Sequence, residues 1–365
     1  MAEDRDDIPE ADRLEGAPHP RETIVLHGHA DAERLLLDAY RSGRMHHAWI
    51  LGGAPGVGKA TLAYRMARFV LAHPEPEAEE VRQATDLSVD PENPTARRIA
   101  RMAHPDLAVL RRAWSPERKT IPAEIRVDDV RRVVSFFGTT AGAGGWRVAI
   151  VDTAEDLNIS GANALLKVLE EPPPRSLFLI LSTAPKRLLP TIRSRCRTLE
   201  LRPLEPDQIE AVLRGPMAEL TDGLDAPELA ELAGLSGGSV RTAATLIDED
   251  SRALRGTLDA VLNRLPEIDA AASHALAEKV AARDGGVAFS LFVAWVLDWL
   301  HERVQSGAGA GEPRLARWAE LWDKTAHRAR KAETYNLDRR PLVLGIINDL
   351  AAAVRGGSSL PRSGR

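Results

Sequence analysis

Five short runs of residues divide the first 200 positions of the chain, with polar or helical segments between them. The first four runs are continuously apolar, as expected of strands that are buried on both faces of a parallel sheet. Amphipathic patterns of helical period separate them, notably around residues 31–40, 127–137 and 162–171. This alternation predicts an α/β domain, a five-stranded parallel sheet with helices on both faces. The predicted strands are 48–51, 107–110, 148–151, 177–181 and 198–201.

After residue 206 the pattern becomes helical, and no further strand is predicted. The expected organisation is an α/β domain over 23–204, a small helical domain over 205–249 and a second all-helical domain over 250–356. Polar residues dominate both ends, so 1–22 and 357–365 are predicted to be disordered tails. The segment 72–104 is rich in proline and charge, and we expect a loop-rich insertion there.

Composition limits the partners, metal sites and cellular locations expected of this chain. A net charge of −5 gives no overall basic field, so any contact with DNA must be local or made by partner proteins. The single cysteine, Cys196, excludes an intrachain disulfide and a cysteine-cluster zinc site. It also favours a cytoplasmic location. No apolar run is long enough to span a bilayer, so no membrane association is expected.

A glycine-rich turn follows the first predicted strand and fits the phosphate-binding pattern G-x-x-x-x-G-K-[ST] except at its last position. Its amides and the lysine ammonium are the groups that cradle phosphate oxygens, and the next helix directs its positive end at the same anion. Alanine replaces the hydroxyl that normally holds magnesium, so nucleotide binding and hydrolysis are separate questions. The candidate phosphate-binding residues are Gly53, Gly56, Gly58, Lys59, Ala60 and Thr61.

Two further strand ends carry polar residues that could face a nucleotide. Asp152 follows the strand at 148–151, where a carboxylate would organise a phosphate-bound metal ion. P-loop ATPases usually place a water-polarising glutamate next to it, and this chain has Thr153 instead. Ser182 and Thr183 end the strand at 177–181. They could contact a γ-phosphate or its attacking water, or simply cap the strand, and the sequence favours neither.

Three motifs together resemble a known family. They are His47–Leu51 running into Gly58–Ala63, the phrase NALLKVLEEPP at 163–173, and Ser-Arg-Cys at 194–196. Over about residues 24–245 the chain resembles the bacterial clamp-loader subunits of DNA polymerase III. The resemblance implies an AAA+ module followed by a three-helix lid and an oligomerisation collar. It also implies assembly with tau/gamma motor subunits and a delta subunit, to place a sliding clamp on primed DNA.

The resemblance implies roles for individual residues as well. Arg195 would be an arginine finger acting on a neighbour's nucleotide, Thr183 or Ser182 a first sensor, and Arg241 a second sensor that completes the nucleotide site. Relatives often carry four zinc-binding cysteines in the region 72–104. This chain has none there, so no zinc is expected.

The departures from the family pattern bear on activity. Because Ala60 and Thr153 replace the magnesium-binding hydroxyl and the glutamate, we expect at most weak ATP or ADP binding and no autonomous hydrolysis. The favoured function is a stator that donates an arginine. The alternatives are an ATP-hydrolysing tau/gamma-type motor, another AAA+ ATPase, or an unrelated P-loop enzyme such as a kinase, which would have no use for Ser-Arg-Cys.

Overall fold

The computed structural model describes residues 10–14, 16–117, 119–122, 124–138, 145–282, 286–306, 312–335 and 337–355. The chain divides into two compact units, with the boundary between Ala244 and Thr245. The predicted tail at 357–365 lies outside the described residues, as do positions 1–9 and 15 of the predicted tail at 1–22.

The first unit contains a five-stranded sheet whose observed pairings are all parallel, in the order β2-β3-β4-β1-β5. The predicted fold class is therefore confirmed. Register aligns the strand ends, because Gly52 pairs with Ser182 and Arg111 pairs with Asp152. The strands are β1 Ala48–Gly52, β2 Leu107–Arg111, β3 Arg147–Asp152, β4 Ser176–Ser182 and β5 Arg197–Glu200.

Helices cover both faces of this sheet. Within the described residues of the first unit they are α1 Ala30–Arg41, α2 Lys59–Ala72, α3 Glu79–Gln83, α4 Pro94–Ala100, α5 Val127–Phe137, α6 Ile159–Glu170, α7 Pro190–Arg193, α8 Pro206–Arg214, α9 Ala226–Leu235 and, ending at the unit boundary, α10 Val240–Thr245.

Alternate residues of β1 face two separate apolar cores. Trp49 and Leu51 pack with α1 and α2, whereas Ala48 and Ile50 pack with α5 and α6. Successive side chains of a strand point to opposite faces, so a run buried on both sides must be apolar throughout. This is why the continuous apolar runs predicted the sheet.

The insertion at 72–104 contains two short helices, α3 and α4, joined by irregular chain. Its apolar residues Val81, Leu87 and Ile99 are fully buried in the core beneath α1 and α2. A buried ion pair lies beside them, with Arg65 Nε donating to Glu33 Oε1 at 2.7 Å. The backbone N–H of Leu87 donates to the same oxygen at 3.2 Å. Packing and this ion pair therefore attach the segment without any cysteine.

The predicted disorder of residues 1–22 is wrong for positions 10–14 and 16–22. His19 is buried, and its Nε2 lies 3.2 Å from an oxygen of Asp12. Arg111, at the end of β2, pairs with both Glu10 and Asp12. The acidic residues that indicated a solvated tail are thus partners of an arginine about one hundred positions away, and they fix the segment to the sheet domain.

The second unit contains helices and no strand within its described residues. Its helices are α11 Glu249–Arg264, α12 Ala270–Ala281, α13 Gly286–Ser306, α14 Glu312–Tyr335 and α15 Arg339–Arg355. Helix α13 is buried in the bundle through Phe289, Phe292 and Trp295, and Trp299 meets Trp318 edge to face at 5.8 Å. Among the described helices, none is long and apolar enough to cross a membrane.

Candidate nucleotide-binding site and the Ser-Arg-Cys arginine

The glycine-rich loop joins β1 to α2 and has a backbone that requires its glycines. Gly53, Gly56 and Gly58 have φ values of 137°, 74° and 103°, all in the region that side chains disfavour. A Cβ on Gly53 would lie 2.6 Å from the carbonyl oxygen of Leu201, and one on Gly56 would lie 2.9 Å from the backbone nitrogen of Arg241. Close packing against neighbouring backbone therefore requires glycine at these positions, whether or not the loop binds a ligand.

Lys59, the first residue of α2, lies over the loop with only 7% of its surface exposed. Its ammonium donates to the carbonyl oxygens of Gly53 and Ala54, each at 2.7 Å. The first helical bond runs from Leu62 N–H to the Gly58 oxygen, so the N–H groups of Ala60 and Thr61 precede any acceptor within α2. A buried cation and a helix N-terminus together favour an anion such as a phosphate group.

Asp152 ends β3 close to this lysine. Burial, with a smaller contribution from the Asp12 carboxylate, raises its pKa from 3.8 to about 6, while the positive charges of Lys59 and Arg241 oppose the shift. The structure thus brings the predicted Lys59 and Arg241 within electrostatic reach of Asp152. Asp12 is a neighbour that the sequence did not predict, since it belongs to the supposed tail.

The segment carrying Arg241 closes on the glycine-rich loop. Val240 N–H donates to the Gly56 oxygen at 2.9 Å, and a Cβ on Gly56 would collide with the Ser239 hydroxyl. A second hydrogen bond, from Leu204 N–H to the Gly238 oxygen at 3.0 Å, ties the same segment to the chain after β5. Helix α10 therefore begins directly against the loop, next to the predicted phosphate-binding residues.

The polar pair at the end of β4 is hydrogen-bonded to Glu155, a residue that the sequence analysis did not predict. Glu155 Oε1 accepts from the Ser182 hydroxyl at 2.5 Å and from the N–H groups of Thr183 and Ala184, both at 2.9 Å. Its other oxygen, Oε2, is buried and makes no hydrogen bond within the described residues. This arrangement supports the capping interpretation for Ser182 and leaves the half-buried Thr183 side chain as the candidate sensor.

The donor set fits a phosphate anion better than it fits a magnesium ion. Ala60 has no side-chain oxygen, and Thr153 stands where a hydrolysing enzyme of this kind has a glutamate. Asp152 is a carboxylate within electrostatic reach of the lysine, and burial, which raises its pKa, disfavours its ionised form. Lys59 and the loop amides would hold the phosphates of a nucleotide, whose own chemistry is phosphoryl transfer.

Arg195 lies just after α7, where two of the family motifs meet. Its Nη1 donates to the Thr191 oxygen at 2.9 Å and to the Ser194 hydroxyl at 3.3 Å. Its Nη2 lies 2.7 Å from Glu170 Oε1, on the last residue of α6. The side chain is 33% exposed. The next residue, Cys196, has its thiol pKa raised to about 12 by burial, so it is protonated and is no nucleophile.

The strand register places Arg195 at the N-terminal ends of the parallel strands and the glycine-rich loop at their C-terminal ends. Arg197 begins β5 and pairs with Trp49 near the start of β1, whereas the loop follows the end of β1. The four residue-to-residue steps from Trp49 to Gly53 correspond to about 13 Å of extended chain. Arg195 precedes β5, on the far side from the loop, so its guanidinium does not belong to the chain's own phosphate site.

Comparison with known proteins gives the family. The family model described as DNA polymerase III, delta subunit, matches residues 28–205. The DNA polymerase III subunit delta' of Pseudomonas aeruginosa is 35% identical over 255 residues, 69% of this chain and 70% of that protein. This chain belongs to the DNA polymerase III delta' family. The delta' subunit of Escherichia coli is 33% identical over 228 residues, 62% of each chain.

Membership of the delta' family decides between the alternatives raised by the sequence. The tau subunit of Escherichia coli matches at 29% identity over 283 residues, covering 73% of this chain and 41% of that protein. Because the delta' subunits of Pseudomonas aeruginosa and Escherichia coli match at higher identity, the comparisons favour a delta'-type subunit over a tau/gamma-type motor. The clamp-loader resemblance inferred from the three motifs is confirmed.

Proposed function

We propose that this chain serves a DNA polymerase III clamp loader as a delta'-type stator, which supplies Arg195 to a nucleotide bound by a neighbouring tau/gamma-type subunit. The observation that carries the proposal is the position of Arg195. It lies at the N-terminal ends of the strands, away from the chain's own loop at their C-terminal ends, with a third of its side chain exposed. An arginine delivered from another subunit neutralises charge that develops in phosphoryl transfer.

The chain's own phosphate site binds ATP or ADP weakly in this proposal and does not hydrolyse it. Lys59 and the loop amides supply attraction for phosphate, whereas Ala60 and Thr153 lack the groups that hydrolysis requires. The contact of Val240 with Gly56 also means that α10 already covers the loop. Arg241 and Thr183 are then residues that touch the nucleotide rather than parts of a motor.

An assay on the purified chain tests this part of the proposal. Nucleotide binding and ATP turnover would be measured for the wild type, for Lys59→Ala and for Lys186→Ala, which removes an exposed lysine outside the loop. We expect weak binding that Lys59→Ala removes and Lys186→Ala retains, with no turnover above background in any of the three. Steady turnover by the wild type that Lys59→Ala abolishes would overturn the stator assignment.

The second unit has its own place in the proposal, as the collar that joins the chain to the motor and delta subunits. Its five described helices form a bundle separate from the sheet unit. A chain truncated after residue 249 should keep the sheet unit folded and lose assembly with the other subunits in size-exclusion chromatography. Normal assembly of the truncated chain would refute the collar. The sliding clamp and primed DNA are reached through the assembled complex, and metal analysis should find no zinc.

A further inference from the structure

We propose that Glu170 is a positioning residue for Arg195, an inference that rests on the proposed function. Glu170 ends α6 in the phrase Leu-Glu-Glu-Pro-Pro, whereas Arg195 lies in Ser-Arg-Cys, 25 positions later. The structure joins the two motifs through the 2.7 Å contact between Glu170 Oε1 and Arg195 Nη2. One motif thereby holds the arginine of the other.

Three polar contacts fix the orientation of the Arg195 guanidinium. The Thr191 oxygen and the Ser194 hydroxyl take the two N–H groups of Nη1, and Glu170 takes one N–H of Nη2. An arginine has five N–H donors in a rigid planar fork. The Nε–H and the second N–H of Nη2 are therefore the donors that the fork can offer to a neighbour's phosphate.

The position of Glu170 is itself fixed by the fold. It is the last residue of α6, and three prolines at 172–174 end the helix before β4 begins. Thr191 and Ser194 belong to α7 and its C-terminus. The guanidinium is consequently held between the end of one helix and the end of another, and removing the carboxylate leaves it attached to α7 alone.

The Glu170 contact could either speed or slow the reaction that Arg195 serves, and removing Glu170 distinguishes the two cases. A long side chain loses rotational freedom when it is ordered, so an arginine that is already oriented delivers its charge at lower entropic cost. A carboxylate could instead compete with the phosphate for the guanidinium. Because the Glu170 contact leaves two donors uncommitted, we assign it the orienting role. Loss of Glu170 should slow the reaction that Arg195 serves.

The test uses the reconstituted clamp loader and its DNA-stimulated ATP turnover. The variants are Glu170→Ala, Glu170→Gln, which keeps an acceptor oxygen, and Glu171→Gln as the matched control on the adjacent exposed carboxylate. We expect Glu170→Ala to lower the Arg195-dependent part of kcat about two- to fivefold, the range expected for losing an exposed ion pair. KM should change little, Glu170→Gln should recover part of the loss, and Glu171→Gln should match the wild type.

An Arg195→Ala background separates positioning from a general structural effect. If Glu170 acts through Arg195, adding Glu170→Ala to Arg195→Ala changes nothing further. An additional loss in that background, or an unchanged or faster rate for Glu170→Ala alone, overturns the inference. If Arg195→Ala itself leaves the rate of a correctly assembled complex unchanged, the proposed function fails, and this inference fails with it.

Discussion

Lys59 and Arg195, the two cations that we propose act on nucleotides, lie in contrasting surroundings at opposite ends of the strands of one sheet. Lys59 is 7% exposed, and two carbonyl oxygens of its own loop accept from its ammonium. The Arg195 side chain is 33% exposed and is held at the surface by the ends of α6 and α7. The Lys59 ammonium is buried within the glycine-rich loop of its own chain, the inward site, whereas the Arg195 guanidinium lies at the surface, the outward site.

Under the proposed function, this difference separates the phosphate-binding half of a phosphoryl-transfer site from its trans-acting arginine. The inward site retains its glycines and lysine, but Ala60 and Thr153 stand in place of the groups for metal binding and water activation. The outward arginine retains a complete set of holding contacts. In the proposed function, the chain supplies this structured arginine to another subunit and does not itself hydrolyse nucleotide.

The largest effect on stability is expected from Glu155→Ala, beside the inward site. It removes the carboxylate that accepts from the Ser182 hydroxyl and from the Thr183 and Ala184 amides. Leaving these donors unpaired should lower the free energy of unfolding by about 2–4 kcal/mol. Denaturant unfolding measures the change, with Glu171→Ala as the exposed control. A loss below about 0.5 kcal/mol would mean that Glu155 does not secure the end of β4.

Asp152→Asn should raise the free energy of unfolding at neutral pH, in contrast to Glu155→Ala. The folded state raises the pKa of Asp152 from 3.8 to about 6, so it binds the proton more tightly than the unfolded state does. That contribution to stability is complete below about pH 4 and is lost as the pH rises through 6. At pH 7 the neutral amide should therefore be more stable than the wild type, by about 1–3 kcal/mol.

The pH dependence of this gain is the sharper readout. The difference between Asp152→Asn and the wild type should shrink towards zero near pH 4, where the wild-type carboxyl is already neutral. Asp222→Asn, at an exposed position, serves as the control and should show little change across the range. If Asp152→Asn is less stable than the wild type at pH 7, the ionised carboxylate is well compensated in its site.

The smallest effect on stability is expected at the outward site. Arg195→Ala breaks a contact between two side chains that are 33% and 48% exposed, so the isolated chain should change by less than about 0.5 kcal/mol. Thermal unfolding measures this directly. A large loss of stability would indicate that Arg195 is a structural residue, and the contrast with the inward site would disappear.

The sequence predicted those features whose evidence is local. Continuous apolar runs identified β1 to β4, because strands buried on two faces have few polar positions, and the glycine-lysine spacing located the loop. Features that depend on distant partners were missed. Glu155 contacts a strand end 27 positions later, and Asp12 pairs with Arg111 across 99 positions. Nothing in the Glu-Glu pair at 170 and 171 indicates which carboxylate meets Arg195.

The measurement that tests the central claim most directly is DNA-stimulated ATP turnover by clamp loaders reconstituted with wild-type or Arg195→Ala chain, after size-exclusion chromatography has confirmed equal assembly. A trans-acting arginine contributes about 10³- to 10⁵-fold at the site it serves in well-studied phosphoryl-transfer systems. Because one site among several would lose it, we predict a clear but partial fall in total rate, with assembly intact. An unchanged rate in a fully assembled complex would contradict the account.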